Sequence, residues 1–166
     1  MASFVSKANA VKVMVVDDSA FMRFTITKHL NYHPELTVVG SARDGQEALE
    51  LIPKLNPQVV TLDVEMPHLD GLSTLREIMA RHPLPVVMLS SLTSEGTLET
   101  VRALTLGAVD FVAKPDNKAN MASILEDVTA KVLRASKARV WQTPQRSAQI
   151  DIPVVANLQD KKVRAL

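Results

Sequence analysis

Five times along this chain a short apolar run gives way to a segment with helical periodicity, and that alternation constrains the fold more than any other feature. Residues 11–16, 36–40, 58–63, 85–91 and 109–113 read as strands, rich in Val with some Leu. Such nearly continuous apolar runs suit strands covered on both faces, as in parallel sheets. Between and after them lie candidate helices. The first carries Phe21, Met22, Ile26 and Leu30, with Asp18 or Ser19 as its cap and Pro34 as its stop. The second covers 45–55, with Ala48, Leu49 and Ile52 on one face and Pro53 straining its last turn. The third covers 72–81 and halts at His82-Pro83. The fourth covers 95–106, offering Leu98, Val101, Ala103 and Leu104 to the core and closing at Gly107. The last covers 120–139, with Met121, Ile124, Leu125, Val128, Val132 and Leu133 in register. The connections are too short for anything but crossovers. The expectation is a parallel sheet with helices on both faces and right-handed links.

In such sheets the working site lies beyond the carboxyl ends of the strands. Reading those ends brings together Asp17 and Asp18, Asp63, Ser90 and Ser91, and Lys114. The stretch from Thr61 to Gly71 stands out among them: an apolar run stops at Asp63, and Glu65, Met66-Pro67 and Asp70-Gly71 follow before the next helix. A carboxylate ending a doubly buried strand is costly unless it is used.

Three converging carboxylates repel one another by about 3–4 kcal/mol per pair at ~4–5 Å and an effective dielectric near 20. Protonation, a lysine or a cation must relieve that cost. An all-oxygen donor set suits a hard divalent ion, Mg²⁺ above all. Lys114 adds a fixed positive charge and Ser90 a neutral donor. Together they describe a site for a phosphoryl group, with Asp63 able to act as nucleophile and form an aspartyl phosphate. Each residue alone has a plainer reading. Asp17 and Asp18 are also what a helix start favours, Ser90 and Ser91 also read as loop hydroxyls, and Lys114 also reads as a solvated lysine. The coincidence at four strand ends favours the functional reading.

Composition narrows the rest. The chain has 166 residues, 46% hydrophobic and 22% charged, which fits one domain with a tail. With no cysteine, thiol catalysis, disulfides and zinc-thiolate sites are excluded. His29, His33, His68 and His82 make no metal-ligand spacing. No dinucleotide fingerprint, phosphate loop or G-x-S-x-G elbow occurs. A net charge of +1 points to neither nucleic acid nor a membrane surface. No apolar run reaches the ~18–20 residues of a bilayer span, and a cytoplasmic location is expected. Residues 1–10 are expected to form a disordered tail and 11–135 the folded domain. Residues 136–166 turn to Gln, Pro, Ser, Arg and Lys around Trp141 and the island Ile150 to Val155, and read as an interdomain linker.

With the order Asp-Asp, Asp, Ser, Lys-Pro in place, residues 11–134 resemble the receiver domains of two-component response regulators. The motifs are Val-Val-Asp-Asp-Ser (15–19), Leu-Asp-Val-Glu-Met-Pro-His-Leu-Asp-Gly (62–71), Met-Leu-Ser-Ser (88–91) and Gly-Ala-Val-Asp-Phe-Val-Ala-Lys-Pro (107–115). The resemblance implies a flavodoxin-like (βα)5 α/β fold, a three-layer sandwich with its parallel sheet in order 2-1-3-4-5. Ser-Ser-Leu-Thr after the fourth strand and the 107–115 motif most resemble the N-terminal regulatory domain of the chemotaxis protein-glutamate methylesterases.

That resemblance implies that a histidine kinase phosphorylates Asp63, with Ser90 bonding a phosphoryl oxygen and Lys114 pairing with it. Mg²⁺ would be held by Asp18, Asp63 and the Glu65 backbone carbonyl, with Asp17 acting partly through water. Phe111 would be the rotameric switch residue, and the Lys114-Pro115 peptide would be cis. Ser90 stands where threonine is commoner in the family, and Phe111 where tyrosine is. The implied partners are the kinase, a C-terminal methylesterase domain whose serine nucleophile is absent here, and chemoreceptors. Nucleic acid and membrane insertion are not expected. A free-standing receiver or one from a transcription factor would share every site residue. From another class, an aspartyl-phosphate phosphohydrolase would place its second acid where Glu65 stands, but Pro67 follows and no cap insertion exists.

Overall fold

A computed structural model describes residues 7–90, 98–114 and 120–138. Five strands alternate with five helices. They are β1 (Val11–Val16), α1 (Ala20–Tyr32), β2 (Leu36–Ala42), α2 (Gly45–Leu55), β3 (Val59–Asp63), α3 (Gly71–Arg81), β4 (Val86–Ser90), α4 (Leu98–Leu106), β5 (Asp110–Ala113) and α5 (Met121–Ala135). All strand pairs are parallel and the sheet order is β2-β1-β3-β4-β5.

Strand pleating sorts the apolar residues into two cores. Val13 and Val15 of β1, Val59 of β3, Val87 and Leu89 of β4 and Val112 of β5 face α1 and α5, where they meet Met22, Ile26, Leu30, Val128 and Val132. Met14, Val16, Val60, Leu62, Val86 and Met88 face the other way, toward Ile52 of α2, Leu75 and Ile78 of α3 and Ala103 of α4. The sheet is thus the middle of three layers.

Helix starts follow the side chains available. The Ser19 hydroxyl accepts from Met22 N at 3.2 Å, so of the two candidate caps for α1 it is Ser19 that serves. Asp44 caps α2 and Asp70 caps α3 in the same way, at 2.8 Å each. Pro53 does not shorten α2, which runs to Leu55 and ends on Asn56 in the left-handed conformation, φ 51°. Losing one interior N–H near the end is tolerated there.

Lys7 to Ala10 form a turn before β1, with Lys7 Nζ donating to the Asn31 and Leu36 carbonyls. Two expectations need correction. In α4, Val101 and Leu104 are about half exposed, and the small residues Thr100 and Ala103 make the buried face. Of the expected core residues of α4, Ala103 is buried as expected, Val101 and Leu104 are not, and the Leu98 side chain lies outside the described residues. Phe21 is likewise half exposed, leaving Met22, Ile26 and Leu30 as the inward face of α1. Ser91, Leu92 and Thr93, the Lys114-Pro115 peptide, Trp141 and linker residues 139–166 lie outside the described residues.

Candidate functional site

Strand register assembles the site. Val16 of β1 pairs with Leu62 of β3, so Asp17 and Asp63, each the next residue along, emerge side by side. Across the sheet, Asp63 pairs with Leu89 and Ser90 with Ala113, which places Lys114 one step beyond Ser90. Backbone hydrogen bonds carry the same register past the strand ends: Asp17 N to Ala42 O at 3.1 Å, Val64 N to Leu89 O at 2.8 Å and Lys114 N to Ser90 O at 2.8 Å. Gly71 locks the loop from below. A Cβ at that position would lie 2.2 Å from the Asp63 carbonyl oxygen and 2.6 Å from Val64 Cα, so the first turn of α3 can press on the end of β3 only without a side chain.

The result is a floor of buried acids under one lysine. Asp17 and Asp63 are each 1% exposed, and Ser90 is fully buried. Lys114 Nζ reaches Asp17 Oδ2 at 3.1 Å and Asp63 Oδ1 at 3.1 Å, bridging the two. Asp17 Oδ1 also accepts from Ser19 N at 2.9 Å, and Asp63 Oδ1 from Glu65 N at 3.2 Å. Asp18 is exposed at the rim, with carboxylate oxygens of Asp17, Asp18 and Asp63 all within 4.8 Å of one another.

Electrostatics follow from this crowding. Burial, with the Asp17 and Glu65 carboxylates adding to it, pushes Asp63 up from 3.8 to about 7, although Lys114 opposes the rise. Burial pulls the Lys114 ammonium down, but Asp17 and Asp63 outweigh it and hold its pKa above the ordinary value. Lys114 therefore stays charged while Asp63 lies poised between its two forms. A single ammonium does not balance two buried acids and a third at the rim. Three hard oxygen donors with unrelieved negative charge are the donor set that suits a divalent cation of the Mg²⁺ type.

All the site residues read from strand ends arrive at one place except Ser91, which lies outside the described residues. Glu65 does something its sequence position does not reveal: its Oε2 accepts a 2.5 Å hydrogen bond from the Ser90 hydroxyl. Phe111 is 7% exposed and packs into the core on the α2–α4 side. Two basic residues join the site without a clear signal in the sequence. Arg23 Nη1 donates to the Asp17 carbonyl at 2.8 Å, and Lys131 Nζ donates to the Phe111 carbonyl at 2.9 Å. Arg23 sits six residues after Asp17 at the edge of the α1 core stripe, a position consistent with a tether. Lys131 stands four residues from Asp127, with which it pairs at 3.2 Å, and that local pairing masks its second role.

A family model, the response regulator receiver domain, matches residues 13–126. The chain belongs to that family. Among curated proteins it is 54% identical over 149 residues to a protein-glutamate methylesterase/protein-glutamine glutaminase of Symbiobacterium thermophilum, covering 88% of this chain and 40% of that one. The chain thus spans about two fifths of the length of that relative. Among solved structures it matches the response regulator domain of Thermotoga maritima CheB, with 41% identity and a TM-score of 0.75, covering 78% of this chain and 98% of that chain. It also matches the CheX-CheY-BeF3-Mg+2 complex from Borrelia burgdorferi, with 30% identity and a TM-score of 0.58, over 71% of this chain and 88% of that chain. The receiver is therefore of the kind found in chemotaxis methylesterases, and its five-stranded sheet in order 2-1-3-4-5 is the flavodoxin-like receiver fold. No described helix is long and apolar enough to cross a membrane.

Proposed function

We propose that residues 11–135 are a phosphoacceptor switch in which Asp63 takes a phosphoryl group from a histidine kinase. The observation that carries this reading is Asp63 itself: a buried strand-end carboxylate beside two further acids and a bridging lysine, its pKa raised to about 7. A carboxylate oxygen of Asp63 attacks phosphorus, the bond to the donor nitrogen breaks, and an acyl phosphate forms. Ser90 donates its hydroxyl to one phosphoryl oxygen, and Lys114 transfers its pairing from Asp63 to another. Asp18, Asp63 and the Glu65 backbone carbonyl would hold Mg²⁺, with Asp17 acting partly through water. When bound, that ion offsets the charge collecting on the phosphoryl oxygens. The support is the donor set here and the Borrelia relative, whose complex contains BeF3 and Mg.

The added charge, close to two units, then biases a two-state element. Ser90 and Lys114 close on the phosphoryl group at the ends of β4 and β5, and the Phe111 ring follows that movement. The similarity to methylesterases supports a specific readout: the switch relieves inhibition of a C-terminal methylesterase domain that acts on chemoreceptors, with residues 136–166 as the tether between them. A titration with beryllofluoride and Mg²⁺, followed by tyrosine or tryptophan fluorescence, tests the switch. Saturable binding that needs the metal is expected, and its loss in Asp63→Asn. Adding the unphosphorylated chain to a separately expressed methylesterase domain is expected to slow ester hydrolysis. Unchanged hydrolysis at high concentration would contradict the regulatory reading.

A further inference from the structure

The hydroxyl that must reach a phosphoryl group is already held by another residue. Ser90 Oγ donates to Glu65 Oε2 at 2.5 Å, a charge-assisted bond at the short end of the normal range. The donor is fully buried at the end of β4, and the acceptor lies on the loop that leaves β3 two residues after Asp63. The loop is not free to drift, because Glu65 N is itself tied to Asp63 Oδ1 at 3.2 Å and Gly71 seats the far end of the loop on the Asp63 and Val64 backbone. Glu65 thus lies between the acid that accepts the phosphoryl group and the hydroxyl that senses it.

We propose that Glu65 is a latch: its carboxylate holds the Ser90 hydroxyl in the resting arrangement, and the phosphoryl oxygens activate the domain by displacing it. A hydroxyl has a single proton to donate, so it cannot fully satisfy the carboxylate and a phosphoryl oxygen together. The equilibrium between resting and active forms is then set by the difference between two charge-assisted bonds to the same donor rather than by the phosphoryl bond alone. Glu65 is a positioning residue in this scheme, acting through Ser90. Ser90 suits the role because its Cβ carries no methyl group to restrict its rotamer, as that of threonine would.

The latch deepens the phosphoacceptor reading and rests on it for the identity of the displacing group. Glu65 has a second effect to separate out, since any carboxylate there also repels an incoming anion. Beryllofluoride affinity in saturating Mg²⁺ is measured for the wild type, Glu65→Ala, Ser90→Ala and the double variant. The latch predicts about fivefold or greater tightening from Glu65→Ala when Ser90 is present, and less than twofold in the Ser90→Ala background. Equal tightening in both backgrounds would mean simple repulsion and overturn the latch, as would no tightening at all. Glu65→Gln, which keeps an acceptor for Ser90 but loses the charge, is expected to fall between wild type and Glu65→Ala.

The same four proteins are unfolded with urea in the absence of metal and anion. The latch predicts that the effects of Glu65→Ala and Ser90→Ala on the unfolding constant are coupled by about fivefold or more, and additive effects would overturn it. This second arm separates the two readings. If the wild type fails to bind beryllofluoride, the phosphoacceptor reading falls, while the unfolding cycle still decides whether the Glu65–Ser90 contact holds the resting form.

Discussion

At the scale of single residues, Asp63 works against the stability of the domain that presents it. Its carboxyl is raised in the fold from 3.8 to about 7, so the folded state holds a proton over a pH range where the unfolded chain has released it. The favourable difference is present at low pH and is lost as pH rises from about 4 through about 7. In metal-free buffer, Asp63→Asn is therefore expected to stabilise the domain by about 1–3 kcal/mol at pH 8 and by little at pH 4. Urea denaturation at the two pH values measures this, and a gain that does not depend on pH would contradict it. Lys114 differs in that its charged form is the one the fold favours: its folded pKa is raised, so its contribution is fully present at neutral pH and is lost as pH rises from the ordinary value of 10.5 through its raised one. A divalent cation should reverse the effect of Asp63: Mg²⁺ at 100-fold over its Kd stabilises the wild type by about 2.7 kcal/mol, and Asp63→Asn is expected to lose most of that gain. One neighbouring residue has an unsatisfied group. Thr61 Oγ1, flanked in register by Val15 and Val87, is buried without a hydrogen-bond partner. Thr61→Val keeps the shape and removes the orphaned hydroxyl, so it is expected to stabilise by about 1 kcal/mol, read as a rise in the urea midpoint.

At the scale of elements, the β3–α3 connection does most to define the site. β3 is buried along its whole length, and α3 starts against its last carbonyl. Gly71→Ala would drive a methyl group into the Asp63 and Val64 backbone. It is expected to cost more than about 2 kcal/mol and to weaken Mg²⁺ binding, because the displaced atoms carry the Asp63 carboxylate. Circular-dichroism melts and a metal titration check both parts, and a near-neutral effect would show that the loop can move aside. Element boundaries are legible in the sequence because caps and stops are chemical: Ser19, Asp44 and Asp70 bond to the first-turn amides, and His82 closes α3. Facing is less legible. In α4, burial falls on Thr100 and Ala103 because their small side chains let the helix lie close to its neighbours, while Val101 and Leu104 stay at the surface. Counting apolar residues cannot show that preference.

At the scale of the whole molecule, the site is a consequence of topology. In a parallel sheet every strand ends on the same side, so Asp17, Asp63, Ser90 and Lys114 meet although almost a hundred residues separate the first from the last. That convergence is legible in the sequence, because alternating strand and helix patterns fix which strand ends come together. The Glu65–Ser90 bond is not legible there, since it depends on the rotamers of two side chains. Nor are the tethers from Arg23 and Lys131, which end on backbone carbonyls and leave no pattern in the sequence. The central proposal is that this convergence serves one covalent event at one carboxylate oxygen of Asp63. Incubating the protein with acetyl phosphate and Mg²⁺, then trapping the acyl phosphate by borohydride reduction and mapping it by peptide mass spectrometry, tests it most directly. The expected result is one modified residue, Asp63, only with metal present and absent from Asp63→Asn. Modification at another residue, or at Asp63 with the metal removed, would contradict it.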